Sequence, residues 1–153
     1  MRETRPRLIG VIGGSESSAD LLQIAEAVGH GIAGRGDVLV CGGLGGVMEA
    51  ACRGAKLRGG ITVGILPGGD RASANPYVDI PVVSGLGHAR NFIVVQSSQA
   101  IVAIGGRYGT LSEIAFGFLF KIPIVGIRTW GIEGPMVRAD TAAEALEKLY
   151  SEL

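Results

Sequence analysis

Apolar residues in this chain fall into short continuous runs, separated by longer stretches in which they recur every three or four positions. The runs at 8–12, 38–41, 61–66, 78–83, 100–104 and 123–127 read as strands. They are apolar throughout rather than alternating, the pattern of strands covered on both faces. The stretches 18–33, 47–57, 88–98, 111–120 and 141–153 carry helical spacing. Leu21, Leu22, Ala25 and Val28 share one face of the first, and Leu146, Leu149 and Leu153 one side of the last. Gly34 and Gly36 read as the stop of the first helix, with the run Gly29-x-Gly31-x-x-Gly34 as part of that stop. Residues 70–77 are polar and turn-like.

Strands alternating with helices imply a parallel sheet with helices on both faces, a doubly wound, Rossmann-like α/β fold. The length of 153 residues leaves room for one such domain, 1–153, and one core. Ligands of these sheets bind beyond the carboxyl ends of the strands, where strand order reverses.

Composition narrows the function. Hydrophobic residues at 47% and charged residues at 18% exclude a disordered chain. Lys plus Arg and Asp plus Glu balance at 14 each, so no field points to nucleic acid or a membrane surface. Cys41 and Cys52 have no histidine partners and read as buried thiols of a reducing cytoplasm. The basic segment 1–7 runs into Gly10, Gly13 and Gly14 rather than a long apolar core, so a signal peptide is not expected, nor a membrane span. Neither His30 nor His88 stands at metal-ligand spacing, and no metal is expected.

The 26 glycines are the outlier. Gly42-Gly43-Leu44-Gly45-Gly46 and Gly105-Gly106-Arg107-Tyr108-Gly109 both leave a strand and enter a helix with one Gly-Gly-x-x-Gly spacing. Helix N-termini carry unpaired N–H groups and partial positive charge, and glycine lets backbone approach a phosphate. The alternative is a pair of tight turns. Gly13-Gly14-Ser15 is a weaker third cluster, open to a base or sugar or simply turning the chain. Arg90 stands at the same end of the sheet and can grip a phosphate through two nitrogens, or be a solvated surface residue. His88 reads equally as packing or capping. Thr110-Leu111-Ser112-Glu113 reads as a capping box. The same carboxylate also stands where it can accept from a ribose or handle a proton. No Gly-Lys-Ser or Gly-Lys-Thr occurs, which excludes a P-loop.

At these residues the chain resembles the LOG family, once labelled lysine decarboxylases. Ile104-Gly105-Gly106-Arg107-Tyr108-Gly109-Thr110-Leu111-Ser112-Glu113 is similar to that family's Pro-Gly-Gly-x-Gly-Thr-x-x-Glu. Cys41-Gly42-Gly43-Leu44-Gly45-Gly46-Val47-Met48 resembles its Gly-Gly-Gly-x-x-Gly-x-Met, and Gly87-His88-Ala89-Arg90-Asn91 its Met-His-Glu-Arg-Lys. The Ala-Arg-Asn form is closer to a branch related to DNA-processing protein A that includes molybdenum cofactor carriers. The chain departs from the LOG pattern at Ile104, at Ala89 and Asn91, and by one extra residue in Arg107-Tyr108.

The resemblance implies two functions. One is hydrolysis of the N-glycosidic bond of a nucleoside 5′-monophosphate, with Arg90 and Glu113 catalytic and no cofactor required. Residues 106–110 would then hold the phosphate. Gly13, Gly14, Ser15, Gly42, Gly43, Gly45, Gly46, Met48, Asn91 and Gly105 complete the expected binding set. The other is a carrier or sensor of a phosphate-bearing cofactor such as the pterin of molybdenum cofactor. Pyridoxal phosphate is not expected, because Lys56, Lys121 and Lys148 all fall away from the glycine loops. Phe116, Phe118, Leu119 and Phe120 crowd one helix with apolar residues on every side. A homodimer or higher oligomer through that helix is expected, the alternative being cover by the terminal helix.

Overall fold

The computed structural model describes residues 5–153, so residues 1–4 of the basic N-terminal segment lie outside the described residues. β1 (Leu8–Gly13) leads to α1 (Ala19–Gly34), and β2 (Val38–Cys41) to α2 (Val47–Leu57). β3 (Thr62–Leu66) passes through a 3-10 turn at Arg71–Ser73 to β4 (Ile80–Val83). A second 3-10 turn, Gly87–Ala89, runs into α3 (Arg90–Gln96). β5 (Ala100–Ile104), α4 (Tyr108–Leu119), β6 (Ile124–Ile127), β7 (Val137–Arg138) and α5 (Ala142–Ser151) complete the order.

All seven strands join one parallel sheet in the order β4-β3-β2-β1-β5-β6-β7. The chain moves outward from β1 to β4, then crosses back to start again at β5. Strand order therefore reverses between β1 and β5, as in a doubly wound Rossmann-like fold. Side chains of β1 alternate between two cores: Ile9 and Val11 pack toward α1, α2 and α5, and Ile12 toward α3 and α4. Ile9, Val11, Ile101 and Val102 are wholly buried, which is why these strands read as continuous apolar runs.

Four expectations need correction. Gly29 is not part of a helix stop. A Cβ there would lie 1.9 Å from the Ala51 carbonyl oxygen, and one on Gly54 1.9 Å from that of Glu26, so these two glycines let α1 and α2 touch backbone to backbone. The fourth helix starts at Tyr108, three residues earlier than its apolar pattern shows, because Gly-Arg-Tyr-Gly carries no helical stripe. The capping box at Thr110 and Glu113 consequently does not form, since both residues already lie inside α4, whose N-cap Arg107 makes no side-chain cap bond. The box-like pair stands at α5 instead: Glu144 N–H donates to Thr141 Oγ1 at 3.1 Å, and Asp140 N–H donates to Glu144 Oε2 at 3.0 Å. Finally, the two-residue β7 and the split of 88–98 into a 3-10 turn and a shorter α3 were too short to leave a periodic signature.

Candidate functional site

β1 and β5 end side by side, with Gly13 opposite Ile104. From that level the chain enters Gly14-Ser15-Glu16 on one strand and Gly105-Gly106-Arg107 on the other. A cleft of about 360 Å³ opens between them. Val11, Ile12 and Glu113 line it, together with Arg107, Gly109 and Thr110 from the start of α4. Gly42, Leu44 and Met48 form another wall, and Gly13, Gly14, Ser15, Glu16, His88, Arg90 and Asn91 complete the lining. The volume suits a small organic ligand.

The two matched glycine loops have different fates. In the first, the Val47 N–H donates to the Gly14 carbonyl at 3.0 Å, so the first N–H of α2 is taken by the protein's own backbone. Gly46 has φ +65°, and a Cβ on it would lie 2.3 Å from the Gly14 oxygen. This loop is interlocked with the one after β1, and Glu49 adds negative charge to the first turn of α2. In the second loop the first intrahelical bond joins Leu111 N–H to the Arg107 carbonyl, and no side chain caps the helix. The preceding N–H groups of α4 thus remain available beside the cleft, and the first turn holds no acidic residue.

Glu113 lies one turn further into α4. It is 8% exposed, lines the cleft and makes no hydrogen bond or ion pair. Burial pushes its carboxyl up to about 8, against the opposing pull of the Arg90 guanidinium. Burial thus favours its neutral form beside the open start of α4.

Arg90 is buried, and its fork is already engaged. Nε donates to the Ile65 carbonyl at 2.8 Å, one Nη to the Gly42 carbonyl at 3.3 Å, and the other to Asn91 Oδ1. Asn91 Nδ2 in turn donates to Ser112 Oγ at 3.2 Å and to the Gly109 carbonyl at 3.4 Å. Arg90 thus joins the ends of β2 and β3 and, through Asn91, the first turns of α4. Gly42 makes room for it, since a Cβ there would lie 2.7 Å from Nη2. The free bidentate grip expected of Arg90 is replaced by a fixed buried cation, because three of its five donors are spent on the protein.

Gly43, Gly45, Gly46, Gly105, Gly106 and Tyr108 do not line the cleft. Tyr108 is 79% exposed, with its ring 5.6 Å from that of Trp130. Trp130 Nε1 donates to the Arg107 carbonyl at 2.9 Å, bracing the start of α4 from outside. A Cβ on Gly106 would lie 2.1 Å from Thr110 Oγ1, so the second loop folds over Thr110. Glu16 and Leu44 line the cleft without having been singled out from sequence. Glu16 directly follows Gly13-Gly14-Ser15, and that position was the available signal. Cys41 and Cys52 are free and buried behind the first loop, with sulfurs 3.6 Å apart. Among the described residues no group of three or more His, Cys, Asp or Glu could hold a metal ion, and no helix is long and apolar enough to cross a membrane.

Comparison with known proteins adds three findings. The family model of the SLOG cluster4 family matches residues 6–152. A cytokinin riboside 5′-monophosphate phosphoribohydrolase from Mycobacterium tuberculosis is 37% identical over 127 residues, 76% of this chain and 67% of that one. Two solved structures match nearly end to end. The molybdenum cofactor binding protein of Rippkaea orientalis has TM-score 0.92 and 34% identity over 98% of this chain and 99% of its own. The Moco carrier protein of Chlamydomonas reinhardtii has TM-score 0.85 and 36% identity over 97% and 100%.

Proposed function

The chain belongs to the SLOG cluster4 family of LOG-like Rossmann proteins, and from that premise we propose that it binds a phosphate-bearing heterocyclic small molecule and holds it as a carrier. The phosphate sits on the open N-terminus of α4, at Arg107, Gly109 and Thr110, and Glu113 meets hydroxyl or amine hydrogens of the ligand. One observation carries this: a nine-tenths buried carboxyl without a partner faces the same cleft as an uncapped helix N-terminus. Three features favour holding over turnover. Arg90 spends three of its five donors on backbone and Asn91, Ala89 adds no carboxylate, and a neutral Glu113 gives little support to a developing positive charge. The names of the molybdenum cofactor binding protein and of the Moco carrier protein, both of which match almost the whole chain, support this reading.

A second reading is hydrolysis of a nucleoside 5′-monophosphate. Water would supply hydroxide to C1′ and a proton to the departing base, leaving ribose 5-phosphate. The pairing of Arg90 and Glu113 across one cleft favours it, as does the named activity of the mycobacterial relative. Ionised Glu113 would then support the oxocarbenium-like charge.

Incubation of the purified protein with AMP and GMP, with free base followed by chromatography and binding by calorimetry, separates the two. Binding without base release is the result expected of a carrier. Base release lost in Glu113→Gln would replace it with the hydrolase. No affinity for nucleotides, a pterin phosphate or ribose 5-phosphate would overturn both.

Pairing of two copies through α3 and α4 belongs to the same proposal. Phe92 packs edge-on against Phe116 and Phe120 at 5.4 and 5.3 Å, yet stays 37% exposed, and Leu119 is 71% exposed. The terminal helix does not cover them, since α5 packs with α1 in the core on the opposite face of the sheet. Sedimentation of Leu119→Lys as a monomer, against a wild-type dimer, is the expected result. The free thiols support a reducing cytoplasm as the setting, and neither nucleic acid nor a membrane has a part in this reading.

A further inference from the structure

The segment after β6 reaches back to the glycine loop that follows β5. Arg128 takes a left-handed backbone conformation (φ +46°), which residues other than glycine seldom adopt and which turns the chain off the strand. Its guanidinium pairs with Asp20, and the Arg138 guanidinium donates to the carbonyls of Thr129 and Trp130. Held in this way, the segment turns two donors on the glycine loop. Thr129 Oγ1 donates to the Gly105 carbonyl at 2.6 Å, and Trp130 Nε1 to the Arg107 carbonyl at 2.9 Å. The Gly105 N–H points the same way, donating to the Ile127 carbonyl at 3.1 Å. No residue after Glu113 lines the cleft. With β5 between β1 and β6, the cleft lies on one side of the glycine loop and the 128–130 segment on the other.

A trans peptide is planar, and its C=O and N–H point in opposite directions. Holding the carbonyls of Gly105 and Arg107 toward the 128–130 segment therefore turns the N–H groups of Gly106 and Tyr108 away from it. Among the described residues neither N–H has a hydrogen-bond partner. The Arg107 carbonyl also accepts the Leu111 N–H, so the Tyr108 N–H points out of the start of α4, between Arg107 and Gly109, which both line the cleft. Resting on the phosphate site proposed above, we infer that Thr129 and Trp130 are its positioning residues: they hold these N–H groups on the cleft side of the loop without touching the ligand. The Arg107–Tyr108 peptide then joins the indole N–H to the phosphate in one chain of hydrogen bonds, whose members strengthen each other. An anion at the Tyr108 N–H pushes electron density onto the Arg107 oxygen and makes it a better acceptor for the indole.

Trp130 is the one tryptophan of the chain, so its indole N–H gives a single resonance apart from the backbone amides. The test titrates the wild type with ribose 5-phosphate and follows that resonance beside the Tyr108 amide. Affinity for the same ligand is measured by calorimetry in the wild type, Thr129→Val, Thr129→Ser and Trp130→Phe, well below each thermal midpoint, so that lost stability alone leaves it unmoved. The expected result is a downfield indole shift with the midpoint of the Tyr108 amide. Thr129→Val and Trp130→Phe each bind about threefold to tenfold more weakly, the worth of one hydrogen bond. Thr129→Ser keeps the hydroxyl and binds as the wild type does. The indole resonance needs no variant, so it decides even where Trp130→Phe fails to fold. An indole that stays still while Tyr108 shifts, or wild-type affinity in both Thr129→Val and Trp130→Phe, overturns the positioning role and leaves the phosphate site standing. Equal losses in Thr129→Ser and Thr129→Val overturn the role of the hydroxyl. Failure of the wild type to bind ribose 5-phosphate overturns the phosphate site and the positioning role together.

Discussion

The loops at 42–46 and 105–109 share one glycine spacing and one place in the fold, yet the structure uses them for different jobs. The first is partly taken up by packing: its first helical N–H bonds Gly14, its last glycine has no room for a Cβ, and its first turn carries Glu49. The second leaves its helix start open onto a cleft, with Glu113 waiting one turn below. A Gly-Gly-x-x-Gly motif therefore specifies a strand-to-helix turn, and whether that turn receives an anion is decided by what already occupies its N–H groups.

Paired alanine substitutions give the sharpest break between the loops. Gly46→Ala forces a side chain into positive φ and against a backbone oxygen, and should cost about 2–4 kcal/mol of stability in denaturant unfolding. Gly109→Ala meets only Asn91 Nδ2 at 3.7 Å, so stability should change by less than about 1 kcal/mol. Its affinity for ribose 5-phosphate should nonetheless fall about tenfold or more, because the new methyl stands at the cleft wall. Equal destabilisation by the two would erase the distinction.

Asn91→Ala cuts the tie between Arg90 and the second loop. It leaves a buried guanidinium short of an acceptor and should cost about 1–3 kcal/mol. Phosphate affinity should weaken less than in Gly109→Ala, since Asn91 acts by positioning. A larger loss of affinity than in Gly109→Ala would make Asn91 a ligand contact.

A pH-dependent effect follows from Glu113. Its carboxyl titrates near 8 in the folded protein against an ordinary value near 4.5. Between those values the folded state binds more protons than the unfolded one, so this group's contribution is full below about pH 4.5 and is lost as pH rises to about 8. Thermal unfolding of the wild type should weaken across that window more than that of Glu113→Gln. Parallel pH profiles would show that Glu113 titrates normally. If nucleotide hydrolysis is found, its rate should rise through pH 8 as the carboxylate forms.

The alternation of apolar runs and helical stretches made the doubly wound fold legible in the sequence, because buried parallel strands leave an unbroken apolar signature. The position of the cleft was legible too, from glycine clusters at three strand ends. Occupancy of the N–H groups was not. That Val47 bonds Gly14 depends on a tertiary meeting of two loops 30 or so residues apart in the chain, which no local pattern encodes. Thr110 and Glu113 carried a capping-box spacing by chance, since the helix starts three residues earlier in a segment without apolar periodicity. The spent donors of Arg90 were equally hidden, being acceptors on β2, β3 and Asn91.

The most direct test follows backbone amide resonances while the protein is titrated with ribose 5-phosphate. The amides of Tyr108, Gly109 and Thr110 should shift earliest and furthest, while those of Val47, Met48 and Glu49 hold still. Shifts centred on Val47 to Glu49, or none at either helix start, would contradict this expectation.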